Sequence, residues 1–253
     1  SFVEPGGAAD PGPLAAVCHP LVTVPAPQRS LADRLRTLAL SRLPDMARRL
    51  WCQPFADNLR RLLAEGRYDV VQVEGIELAP YGLALQGWLG ERAPRVVFDD
   101  HNCEYVLQRR AFETDLRRPK RWPQAAYSLA QWRRLRRYER RVCEKADGLA
   151  CVSEADAAAI QALSPALRPV VVPNGVDVDR YHPSLADSLP LEHPAIVFTG
   201  KMDFRPNIDA VAWFYDQVWP TIRAASAARL YIVGKSPHPS LARLAADPRV
   251  TLT

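Results

Sequence analysis

Short valine-rich runs, each followed by a polar or glycine turn and then by a helical pattern, recur along this chain. The clearest are Tyr68–Val73 (YDVVQV), Arg95–Phe98 (RVVF), Gly148–Val152 (GLACV), Arg168–Pro173 (RPVVVP), Ala195–Thr199 (AIVFT) and Arg229–Val233 (RLYIV). Apolar runs without polar alternation suit strands buried on both faces, as in parallel sheets. A parallel neighbour is reached only through a crossover, usually a helix, so the recurrence imposes an α/β fold with mainly parallel sheets. In such sheets functional residues collect beyond the carboxyl ends of the strands.

The stretch from Pro169 to Phe214 joins one α/β unit to another. Asn174-Gly175 turns the chain after a strand, both residues tolerating positive φ. Residues 181–194 carry three prolines and little apolar periodicity, and read as a linker. This places a first domain at residues 1–184 and the start of a second at 185–253. Earlier in the chain, residues 1–4 read as a strand, followed by a Pro5-Gly6-Gly7 turn, and residues 15–24 as a second strand region. Ser30 is an N-cap opening helical segments that Pro44 and Pro54 interrupt and that end near Gly66. Further helices are predicted over 78–89, 104–114, 125–146, 209–222 and 241–246, with Ser153 capping another and residues 249–253 starting a strand.

Composition narrows the class. Hydrophobic residues make up 48% of the chain, enough for a buried core. The five cysteines are scattered and form no CxxC pair, so neither a disulfide framework nor a zinc site is indicated. No apolar run approaches the roughly 20 residues that span a bilayer, and no signal-peptide pattern opens the chain. A reducing cytosol is the expectation. The net charge of +5 is concentrated, because residues 105–145 hold 13 Lys/Arg against four acids. Within that segment Leu129, Trp132, Leu135, Tyr138 and Val142 recur at helical spacing with arginines between them, giving a narrow apolar stripe. Three readings of this basic helix stand side by side. It could contact anionic lipid headgroups, present a solvated arginine face, or touch nucleic acid, for which no aromatic platform or known module is present.

Polar residues gather at three strand ends, namely Glu74, the Asp99-Asp100-His101-Asn102 cluster, and Ser153-Glu154. His101 is either a functional strand-end imidazole or a loop histidine bonded to a carboxylate. Asp99 and Asp100 are general bases, metal ligands, or turn and capping residues. Glu104 suits the first turn of the following helix. Gly200-Lys201, with Arg205 and a helix start behind it, outlines an anion site. Glycine allows close approach, the cations neutralise charge, and the helix N-terminus adds its dipole. Gly234-Lys235 repeats the arrangement at the next strand end. Neither GxGxxG nor GxxxxGK[ST] occurs, so this is not a dinucleotide fingerprint or a Walker loop.

The motifs DVVQVE, VVFDDHNCEY, ADGLACVSEAD, VVVPNGVD and FTGKMDFRPNIDAVAWF, in this order, resemble the GT-B glycosyltransferases of the family 4, group 1 type. They are most similar to bacterial sugar transferases associated with exopolysaccharide and exosortase systems, with the TGxMDxxPNxDAxxWF block the more specific part. The resemblance implies two Rossmann-like domains, the first binding the acceptor and the second the nucleotide-sugar. It implies that His101 approaches the donor sugar and phosphate, that Glu74 faces the acceptor, and that Asn102, Ser153, Glu154, Asn174 and Gly175 belong to the acceptor side or cleft. Gly200, Lys201, Arg205 and Gly234 are implied as the donor-diphosphate site, with His101 and Lys201 catalytic. Pro206 departs from the family, where a lysine is common, and Arg205 is the substitute expected. The family's E-x7-E element is expected beyond Thr253 and its first strand before Ser1, which would make this chain an incomplete fragment of the enzyme.

The activity so implied is retaining transfer of a sugar from a UDP- or GDP-sugar to an exopolysaccharide or cell-envelope acceptor, polysaccharide or lipid-linked. It needs no cofactor and no obligatory metal. The partners expected are the donor, the acceptor and an anionic membrane surface through helix 125–146, with no nucleic acid. The expected location is cytoplasmic, peripheral at the inner face of the cell membrane. The alternatives are a nucleotide-sugar epimerase of the same architecture and a non-catalytic membrane-associated fragment.

Overall fold

The computed structural model describes residues 1–3, 14–182, 184 and 191–253. The predicted Pro5-Gly6-Gly7 turn and much of the predicted linker lie outside these residues. The chain forms two compact units, residues 1–175 and 176–253.

The first unit is built on a parallel sheet of order β3-β4-β5-β6, formed by Val70–Glu74, Arg95–Asp100, Gly148–Cys151 and Val170–Val171. Its helices are α1 (Leu14–Val17), α2 (Leu31–Leu40), α3 (Met46–Arg49), α4 (Gln53–Glu65), α5 (Ala79–Leu89), α6 (Glu104–Leu116), α7 (Trp122–Lys145) and α8 (Glu154–Gln161). A separate parallel pair, β1 (Phe2–Val3) and β2 (Val24–Pro25), is tied in where Phe2 stacks on Phe55 of α4 at 4.6 Å. The core holds Val73, Ile76, Phe98, Leu135, Leu149 and Ile160, all buried. Full burial of such side chains stabilises by about 1.5–3 kcal/mol each.

The second unit is a parallel sheet of order β7-β8-β9, formed by Ala195–Thr199, Arg229–Val233 and Val250–Leu252. Helices α9 (Arg205–Gln217) and α10 (Trp219–Ala225) connect its first two strands, and a 3-10 helix (Pro239–Ala246) the next two. Its own core includes Met202, Val211, Trp219, Ile232 and Leu244. Trp219 Nε1 donates to Asp247 Oδ2 at 3.0 Å, and Arg223 pairs with the same carboxylate at 3.1 Å, so both buried polar groups are satisfied.

The α/β class with parallel sheets is as the strand pattern predicts. Ser30 caps α2 through a capping box with Asp33, an arrangement worth about 1 kcal/mol. Several boundaries differ, for local reasons. Residues 15–17 are helical, matching the helix propensity of LAAV, and the strand appears only at Val24, after Pro20, which has no N–H to give a ladder. Pro54 does not interrupt a helix but sits in the first turn of α4, where a missing N–H costs nothing. Asp99 and Asp100 belong to β4 rather than to a turn. The helix predicted over 209–222 is two helices, with Pro220 in the first turn of the second. The predicted buried strand Arg168–Pro173 pairs only at Val170–Val171, on the sheet edge. There Val170 is 62% and Val172 57% exposed, so that valine run reflects β-propensity rather than burial.

The basic helix α7 is less simple than an apolar stripe among arginines. Leu129 and Trp132 are half-buried, whereas Gln131 and Glu139 are buried with Leu135, Tyr138 and Val142. Arg134 reaches across to α2, donating to the carbonyls of Leu38 (2.7 Å) and Thr37 (3.5 Å) and capping that helix's C-terminal end. Among the described residues no helix is long and apolar enough to cross a membrane.

Candidate functional site

In the first unit the register decides what meets. Glu74 pairs with Asp99 across β3 and β4, and Asp100 pairs with Cys151 across β4 and β5. Glu74, His101, Ser153 and Asn174 therefore stand at or just beyond the carboxyl ends of four neighbouring strands, such strands running about 4.8 Å apart. Gly75, at φ +76°, turns the chain away after β3 and donates its N–H to the Asp99 carbonyl at 2.9 Å. Glu74, His101, Asn102, Glu154, Asn174 and Gly175 are half-exposed or exposed along this edge.

His101 is held by a residue that the motif reading left among several roles. Its Nδ1 lies 3.2 Å from Asp99 Oδ1, and Asp99 Oδ2 accepts from Gln72 Nε2 at 3.0 Å. A carboxylate only accepts, so Nδ1 carries a proton toward Asp99 and Nε2 is left facing away from it. The signal was present in the sequence. Asp99 and His101 are two residues apart at a strand end, and period-two alternation puts such residues on one face. Gln72 follows from the register, which the sequence does not display. Ser153 is committed to its helix. Its hydroxyl accepts from Asp156 N at 3.2 Å and bonds the Asp156 carboxylate, capping α8.

Beneath this edge lies a buried acid group. Asp100, Cys103 and Glu139 place ligand-type atoms within 4.8 Å of one another. Burial and the neighbouring Glu139 push Asp100 up to about 10, and burial pushes the Cys103 thiol far above its usual range. Glu139 is raised by burial but receives two backbone N–H bonds, from Glu104 and Tyr105, that favour its anion. Burial raises both carboxyls, and the two N–H bonds hold Glu139 the lower of the pair.

Glu104 beside them is pushed up to about 7, chiefly by burial and then by the charge of Glu77. A carboxyl whose folded pKa is raised stabilises the fold below its unfolded value and loses that contribution as pH climbs through the folded one. Thermal stability of the first unit is thus expected to fall between about pH 4.5 and 7 through this group. Glu104→Gln is expected to flatten that slope in a series of melting curves, and an unchanged slope would contradict the assignment.

In the second unit the two glycine loops are locked together. Gly200 and Gly234 follow β7 and β8, whose ends pair Thr199 with Val233. Gly200 N donates to the Val233 carbonyl and Met202 N to the Lys235 carbonyl, each at 3.1 Å. A Cβ built on Gly234 would collide with the Gly200 carbonyl oxygen, and one on Gly200 would meet Asn207 Nδ2 at 2.8 Å. Asn207 Nδ2 in turn donates to the Lys201 carbonyl at 3.0 Å, an anchor that the motif reading did not identify. Lys201, with an exposed side chain, stands 3.6 Å from Asp203. Arg205 Nε is 3.6 Å from Asp209 in the first turn of α9. At that N-terminus Pro206 has no N–H and Asn207 N turns back to the Phe204 carbonyl, so an approaching anion would rely on side-chain cations more than on helix donors. Lys235, also exposed, occupies on β8 the place that Lys201 occupies on β7.

The geometry thus presents an imidazole–carboxylate edge in one parallel unit and a cationic double-glycine loop in the other. Residues 193–253 match the model described as Glycosyl transferases group 1. A comparison with curated proteins returns no match. Residues 14–180 match the model of Glycosyltransferase Family 4, which covers more than half of the chain. The architecture is the Rossmann-like α/β type of GT-B enzymes, and the chain belongs to glycosyltransferase family 4.

Proposed function

We propose that the enzyme transfers a sugar, with retention of configuration, from a UDP- or GDP-sugar to an exopolysaccharide or cell-envelope acceptor at the cytoplasmic face of a membrane. The observation that carries the donor half is the interlocked pair of loops. Gly200 and Gly234 keep the two backbones close, and Lys201 and Lys235 follow them in the loops after adjacent strands. Two cations over a Cβ-free surface suit a diphosphate. Lys201 neutralises charge as the diphosphate leaves, with Arg205 in support, and such contacts contribute a few kcal/mol at the transition state. The leaving phosphate accepts the acceptor's proton, and neither a cofactor nor an obligatory metal takes part. His101, oriented by Asp99, presents Nε2 to the transferring sugar, and Glu74 with Asn102, Glu154, Asn174 and Gly175 serves the acceptor.

Incubation with a panel of UDP- and GDP-sugars and a lipid-linked or oligosaccharide acceptor tests the reading. Transfer with the donor's anomeric configuration kept in the product supports it. Inversion would overturn the mechanism, and epimerisation of the donor without acceptor would replace the reaction.

Membrane contact through α7 has its own support. Arg133, Arg137 and Arg141 are exposed, and the neighbouring α2 exposes Leu31 (74%), Leu35 (64%) and Leu40 (78%). Basic side chains near an anionic surface contribute about 1 kcal/mol each. Neutralising these three arginines is therefore expected to weaken binding to phosphatidylglycerol vesicles by roughly 10²-fold at low salt. Flotation that is unchanged by the substitutions, or absent in the wild type, would refute the membrane assignment.

A further inference from the structure

Glu139 is the one acid completely buried in the middle of the arginine-rich α7, and it has no ion pair among the described residues. Its two oxygens go elsewhere. Oε1 accepts from Glu104 N and Oε2 from Tyr105 N, each at 2.9 Å. These are the first two backbone donors of α6. The N-cap of that helix, Cys103, makes no side-chain cap bond, so a carboxylate 35 residues further along takes the cap's place. The positive end of α6 faces the Glu139 charge, which favours the bond further. On its other side Glu139 meets Asp100, itself only 1% exposed and the last residue of β4.

One carboxylate therefore grips the chain on both sides of a short link. Asp100 lies before the link and Glu104-Tyr105 after it. Between them His101 and Asn102 are exposed, and Cys103 is buried with its thiol directed at the Asp100 carboxylate and the Asp156 carbonyl. His101 has its own tether to Asp99, but where that segment leaves the sheet is set from below by Glu139. We propose that Glu139 is a positioning residue for sugar transfer, fixing the strand-to-helix link that presents His101. It touches no substrate, and acts through the backbone of residues 100–105. The groups facing it are Asp100 from β4, Cys103 at the N-cap and Glu104 in the first turn of α6, and Cys143 from its own helix. Among the described residues no cation is paired with Glu139 to replace the two N–H bonds if they are lost.

The proposal rests on the sugar-transfer reading, so its test has one arm that needs no turnover. Glu139→Gln keeps the shape but sets an NH₂ group against one of the two N–H donors. With the protein folded by circular dichroism, the His101 ring signals in an NMR spectrum are expected to shift or broaden, while those of His193 and His238 stay in place. In the transfer assay kcat is expected to fall ~10–10²-fold with the donor KM within about twofold, since only an interaction made in the transition state is lost. Combined with His101→Ala, Glu139→Gln is expected to cost nothing further, because residues acting as one unit are non-additive. Glu139→Asp, which keeps the charge but falls short of one donor, is expected to lie between wild type and Glu139→Gln, and serves if the Gln variant does not fold. Wild-type His101 signals in either folded variant would overturn the proposal, as would losses that multiply in the double variant. If the wild type transfers no sugar while the His101 signals move as expected, the functional reading fails and the positioning geometry stands.

Discussion

Gly234→Ala is expected to destabilise the second unit by about 2–4 kcal/mol and to lower nucleotide-sugar affinity at least tenfold. The added methyl would collide with the Gly200 carbonyl oxygen and approach its carbonyl carbon and Met202 Cγ, both at 3.0 Å. The obstacle is backbone, so no side-chain rotation relieves it. One of the two loops must move, breaking the Gly200–Val233 or Met202–Lys235 bond, each of 3.1 Å. Overpacking of this kind costs about 1–3 kcal/mol, and each lost internal hydrogen bond about 1 more. Met202, fully buried between these loops, would be displaced with them. Gly87 is the control. It lies within α5 with nothing within 4 Å of its would-be Cβ, so Gly87→Ala is expected to raise stability by up to about 1 kcal/mol. Denaturant titrations of both variants check the contrast. A Gly234→Ala protein as stable as the wild type would mean that the loops are not interlocked.

Lys201→Ala is expected to act in the opposite manner, with little effect on folding and a large one on catalysis. The side chain is 69% exposed and its 3.6 Å pair with Asp203 is a surface contact worth at most about 1 kcal/mol. Its melting temperature should therefore match the wild type closely. If Lys201 stabilises the departing diphosphate, its loss should lower kcat/KM by about 10²–10³-fold, the scale found when a donor aimed at developing charge is removed. Steady-state kinetics beside a melting curve separates the two effects. Activity within threefold of wild type would remove Lys201 from the reaction and leave Lys235 and Arg205 as the cations to examine.

How much of this was legible in the sequence depended on whether a contact was local. β7 and β8 were readable to the residue, because a short valine- or isoleucine-rich run ending in glycine has few alternatives. The Ser30 and Ser153 caps were readable because a cap bond spans three residues. Gly200 and Gly234 stood out individually, but their interlocking needs the pairing of Thr199 with Val233, and register is a property of two strands. Glu139 was hidden for the same reason. In sequence it is one acid among arginines, and its partners are 34 and 35 residues away. The Arg168–Pro173 run misled because valines favour a strand whether it is central or at an edge. Of the candidate site, the strand-end positions were visible, and the groups that orient them, Asp99's partner Gln72 and Asn207 behind Lys201, were not.

The central claim is that the loops after β7 and β8 hold the diphosphate of a nucleotide-sugar. Titration of the isotopically labelled protein with UDP- and GDP-sugars, following backbone amides by NMR, tests it most directly. The account predicts saturable shifts concentrated at Gly200, Lys201, Gly234 and Lys235, and their loss in Gly234→Ala. Saturable shifts that leave these four amides unmoved, or no response to any nucleotide-sugar, would contradict it.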